Sequence, residues 1–80
     1  MTNAPVTTTC RVTSGYIYPG FDISGSSLNT PTQCCDLCGR TAGCVAWDYL
    51  NDQHYCWLKS SLPSPSRRVA YLNSYSGIKN

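Results

Sequence analysis

The sequence predicts a small α+β domain, one α-helix packed on a curved antiparallel β-sheet and stapled by disulfides. Three observations predict it. Six cysteines stand in 80 residues, a length at which a core alone rarely offsets chain entropy. One strongly capped helix signal is present. Short apolar segments separated by turn residues flank it, too short for further helices. Charged residues make up 12 % of the chain, roughly half the usual share of about 25 %, and glutamate is missing. No apolar run approaches the ~18 residues of a membrane span. A net charge of +2 is too small to imply nucleic acid as a partner.

Residues 1–9, with Pro5 and Thr7-Thr8-Thr9, read as a flexible leader, and residues 10–80 as a single domain. The first five residues have neither the basic start nor the apolar stretch of a secretory signal. The cysteine density nevertheless points to an oxidising, extracellular setting. Met1 then reads as a start methionine added to a mature domain.

Residues 10–13 begin a β-rich stretch, and residues 15–18 alternate as a strand that breaks at Pro19-Gly20. Residues 22–30, rich in Ser and Gly, read as a loop. Thr30-Pro31-Thr32-Gln33 places a hydroxyl at the N-cap, proline at the first helical position and glutamine at N3. That is a capping box with its expected proline. With Gly43 as the stop, the helix is predicted over 31–42, presenting Cys34, Leu37, Cys38 and Thr41 on one stripe. Cys35 sits about 100° around the helix from Cys34, so the vicinal pair addresses different partners. Residues 44–50 read as a central strand covered on both faces. Residues 51–53 are turn material, residues 54–59 the hairpin return, and residues 60–68 a Ser/Pro loop. Residues 69–71 and 75–79 read as closing strands.

Six cysteines allow fifteen pairings. The spacing places Cys38 and Cys44 across the helix end and offers Cys34 to Cys56, leaving Cys10 and Cys35. Two rival readings use thiols instead. Cys35-Asp36-Leu37-Cys38 is a C-x-x-C without the βαβ context of a redox site. A zinc set of Cys35, Cys38, His54 and Cys56 has suitable ligand types but strands the other three cysteines.

The run Cys34-Cys35-Asp36-Leu37-Cys38, then Gly43-Cys44-Val45-Ala46-Trp47, then Cys56-Trp57-Leu58-Lys59-Ser60 resembles the PAN/Apple domain family. Gly20-Phe21-Asp22-Ile23 and Ser76-Gly77-Ile78-Lys79 are similar to the family's segments before the helix and at its final strand. The vicinal cysteines look most like PAN modules of oomycete secreted adhesive proteins, such as the cellulose-binding elicitor lectin. The resemblance implies bridges Cys34–Cys56 and Cys38–Cys44. No cysteine follows position 56, so the bridge between termini of the Apple subtype is absent and Cys10–Cys35 is left over. It also implies a role in adhesion and molecular recognition.

Catalysis finds little support. One histidine and four aspartates form the acid–base inventory. Asp48 and Asp52 flank the predicted turn, where Asp serves local hydrogen bonds, and His54 lacks a nucleophile and an orienting group. No enzyme activity, cofactor or metal is expected. The aromatics say more: six tyrosines, two tryptophans and one phenylalanine. Trp47 is expected in the core, and Trp57 on the sheet face away from the helix. Tyr16, Tyr18, Tyr71 and Tyr75 are expected to share one face as a stacking platform. Arg67 and Arg68, with Lys59 and Lys79 near them, are expected as a small basic spot. The expected partner is a cell-wall or surface carbohydrate or an extracellular protein, with a small catalytic or metal-binding domain as the alternative.

Overall fold

A computed structural model describes residues 11–61 and 64–79, without the side chain of Pro65. The helix, α1, spans Pro31–Arg40. Its N-cap Thr30 Oγ1 accepts from the Gln33 amide at 3.2 Å, and Gln33 Oε1 accepts from the Asn29 amide at 2.8 Å. The glutamine thus reaches one residue further back than a standard capping box. The helix ends two residues before the expected limit. Thr41 adopts an extended conformation, and its hydroxyl donates to the Leu37 carbonyl at 2.7 Å. Gly43 has φ 85 but serves the turn beyond the helix, which the Cys38–Cys44 bridge closes.

Among the described residues, five strands form one antiparallel sheet: β1 Arg11–Ile17, β2 Asp22–Ser27, β3 Ala46–Leu50, β4 Tyr55–Lys59 and β5 Val69–Ile78, in the order β1-β5-β3-β4-β2. This is the predicted class, one helix on an antiparallel sheet. Several boundaries differ. Residues 22–27, read as loop, form β2. With no apolar alternation to announce it, this strand exists by pairing its backbone with β4. Residues 11–17 are one strand rather than two, bulged at Gly15 with φ 86. The two closing strands are one ten-residue strand, β5. Its register jumps from Ser14↔Tyr75 to Tyr16↔Ala70, so residues 71–74 lie opposite Gly15 alone. β3 begins at Ala46 rather than Cys44. His54 belongs to the hairpin turn, exposed, with φ 51. The predicted leader, residues 1–9, lies outside the described residues.

β3 is buried along its whole length because it is central and both its faces are covered. By register, Trp47, Tyr49, Cys56 and Leu58 face the helix, with Cys34, Cys35, Cys38 and Cys44 packed against them. The Trp47 ring lies across Gly77, where a side chain would collide. Cys34–Cys56 joins helix to sheet across 22 residues of sequence and Cys38–Cys44 across 6. In the chain-entropy account these closures stabilise by about 3.4 and about 2.2 kcal/mol. Cys35 is disulfide-bonded as well. Cys10, its expected partner, lies outside the described residues. With Cys35, Cys38 and Cys56 all in disulfides, neither the C-x-x-C nor the zinc reading retains its thiols.

β1 and β2 occupy opposite edges, so the connection between them must cross the sheet. It crosses the face away from the helix, onto which alternation turns Asp48, Lys59 and Trp57.

Candidate functional site

Lys59 ends an apolar strand and turns inward, its side chain only 2 % exposed. Nζ lies 2.6 Å from Asp22 Oδ1, 3.4 Å from Asp48 Oδ2 and 3.0 Å from the Gly20 carbonyl. Asp48 Oδ2 also accepts from the Tyr18 amide at 2.9 Å. One buried cation and two carboxylates therefore pin the β1–β2 crossing at Tyr18, Gly20 and Asp22. Burial pushes the Asp48 carboxyl above its ordinary range, opposed by the Tyr18 amide and Lys59.

This overturns two expectations. Lys59 is no part of a basic surface spot: it is consumed by two carboxylates and a carbonyl. Asp48 is no turn residue either: it lies in mid-strand, 3 % exposed. The signal was present in the sequence as opposite charges within two otherwise apolar strands. Alternation carried it too, since Tyr55, Trp57 and Lys59 share one side of β4.

Nor do the four tyrosines form a single platform. Tyr75 packs against the core cluster. Tyr16 pairs with Ala70, so the adjacent Tyr71 projects to the other side of β5. Tyr16 lies beneath Arg68, whose guanidinium carbon is 4.3 Å from the ring centroid. Tyr71 stands at the β3–β4 turn. Its hydroxyl accepts from Gln53 Nε2 at 3.3 Å and donates to Asp52 Oδ2 at 3.4 Å. Tyr18 is half-buried on the crossing, and Arg67 and Arg68 are exposed. Trp47 is in the core, as expected. Trp57 is half-buried on the face away from the helix, its ring centroid 4.9 Å from that of Tyr55. Tyr55 is a member of this aromatic surface that the sequence reading missed.

A disulfide-stapled helix packed on an antiparallel sheet defines a small α+β domain. The model of the PAN domain family matches residues 15–59, more than half of the chain, and the chain belongs to that family. The matched stretch runs from the Gly15 bulge through the Cys34–Cys56 and Cys38–Cys44 bridges to Lys59. No curated protein matches the chain. PAN domains are generally protein- or carbohydrate-binding modules and typically non-catalytic.

Proposed function

We propose that this chain is an extracellular, non-catalytic recognition module with a carbohydrate ligand, used in adhesion to a cell-wall or surface glycan. The observation that carries this is the surface cluster of half-buried Tyr71 with exposed Gln53 and Asp52. A sugar offers an apolar C–H face and hydroxyls that both donate and accept. An aromatic ring with an amide and a carboxylate held at its hydroxyl edge matches both properties. Tyr16 under Arg68 lies on the other side of β5, and with Tyr18 and Arg67 it is assigned to a second contact region apart from Tyr71. Lys59 and Tyr75 belong to neither. The resemblance to oomycete adhesive modules favours the same class of ligand, and the disulfide density favours secretion.

The test is titration of the protein with cellohexaose, chitohexaose and oligogalacturonate at low and high salt. Binding that weakens in Tyr71→Ala and Gln53→Ala supports the reading. A salt-sensitive share that vanishes in Arg67→Ala/Arg68→Ala assigns an acidic glycan, because exposed charges are screened over about 8–10 Å. Absence of binding to every saccharide refutes the glycan reading. A protein partner is the second reading, favoured by Leu72, which is 84 % exposed beside Tyr71.

A further inference from the structure

The β1–β2 crossing carries an unrelaxed backbone at the surface. Phe21 has φ 62, a left-handed conformation that a bulky side chain holds only where its surroundings over-determine it. They do so here. Lys59 Nζ grips the Gly20 carbonyl on one flank and Asp22 Oδ1 on the other, at 3.0 and 2.6 Å. The Phe21 carbonyl accepts from the Ser60 amide at 2.9 Å. Yet Phe21 is 52 % exposed. Burial of the ring therefore does little to offset the backbone strain, and the clamp holds an aromatic face towards solvent.

We propose that Phe21 and Asp22 form a subsite for one neutral hexopyranose unit, with the C–H face of the sugar stacked on Phe21 and a hydroxyl donated to Asp22. The Asp22 side chain is 41 % exposed, and Oδ1 faces Lys59, which leaves the second oxygen to accept from the sugar. A uronate would bring its own carboxylate against that of Asp22, so the subsite selects an uncharged unit. Lys59 acts as a positioning residue, fixing the segment without touching the ligand. The proposal rests on the carbohydrate reading above and adds a subsite separate from the tyrosine and arginine surface.

The test is Phe21→Gly and Phe21→Tyr, titrated with cellohexaose and chitohexaose, with melting temperatures measured alongside. Glycine adopts φ 62 freely, so Phe21→Gly keeps the fold while removing the ring. The expected result is an unchanged or higher melting temperature with affinity lowered about tenfold, the loss of one stacking contact, and affinity near wild type in Phe21→Tyr. If the wild type binds and Phe21→Gly binds equally well, the subsite is overturned while the recognition reading stands. If Phe21→Gly melts well below the wild type, the ring is structural and the subsite is overturned on that ground. If the wild type binds neither neutral saccharide, the subsite falls, and binding of oligogalacturonate alone would leave the broader glycan reading standing.

Discussion

Replacing Lys59 with Met keeps most of the buried stem and removes the charge. Were both partners exposed, the Lys59–Asp22 pair would contribute only about 0–1 kcal/mol. Burial changes the magnitude. Lys59 is 2 % exposed and Asp48 3 %, so the substitution leaves a buried carboxylate without its cation and the Gly20 carbonyl without its side-chain donor. Breaking one side of a buried ion pair costs about 3–5 kcal/mol. A domain of this length has a total stability of about 4–12 kcal/mol. Its unfolding entropy is about 0.17 kcal/mol per kelvin, so the melting temperature should fall by about 20 °C or more. Adding Asp48→Asn removes the uncompensated charge. The double variant should therefore be less destabilised than the sum of the single ones by about 1–3 kcal/mol. Urea and thermal unfolding with the disulfides intact, followed by tryptophan fluorescence and circular dichroism, measure both quantities. A loss of only a few degrees in Lys59→Met, or strict additivity in the double variant, would refute the clamp as argued.

The pH dependence follows from Asp48. Its native pKa is raised, so the folded chain takes up this proton at a higher pH than the unfolded chain, and stability from this group falls as pH rises through the native value. The melting temperature of the wild type minus that of Asp48→Asn should grow as pH falls from neutral towards the ordinary carboxylate range; a flat or shrinking difference contradicts the assignment. Two glycines should respond unequally to alanine. A Cβ at Gly77 would lie 2.5 Å from Trp47 Cζ2, inside the core, and one at Gly25 would lie 2.5 Å from Tyr55 Cε2 on a half-exposed ring. Gly77→Ala should cost about 1–3 kcal/mol as overpacking and Gly25→Ala clearly less, because the Tyr55 ring is only half-buried whereas Trp47 is enclosed. Equal losses in equilibrium unfolding would count against the stated packing.

Much of the proposed recognition surface was visible in the sequence as residue types but not as an arrangement. Tyr16, Tyr71 and Arg68 carry the right chemistry, and alternation alone allows all the tyrosines one face. What separates them is the bulge that sets residues 71–74 against Gly15, a feature of pairing between segments far apart in the chain. In the sequence Phe21 is one phenylalanine within the segment that resembles the family's approach to its helix. Its importance comes from φ 62 and from the clamp around it, neither of which any local pattern encodes. The burial of Lys59 escapes local pattern for a related reason. Exposure is the usual state of a lysine, and the approach of Asp22, 37 residues away in sequence, together with Asp48 and the Gly20 carbonyl, makes burial tolerable.

By itself the sequence determined the features that depend on residues within a turn or two of one another. These are the capped start of α1, the apolar hairpin of β3 and β4, and the helical stripe that offers Cys34 and Cys38 to the sheet. Hydrogen bonds of the cap and side-chain periodicity act over three or four residues, so they are legible in a single chain. The tertiary structure decided the rest: that a Ser/Gly segment is a strand, that β1 and β2 occupy opposite edges, and that three charged residues meet beneath the crossing between them. Backbone pairing gives an edge strand such as β2 no side-chain signature. The environment of a charge depends on what else the fold brings to it, which sequence spacing does not specify.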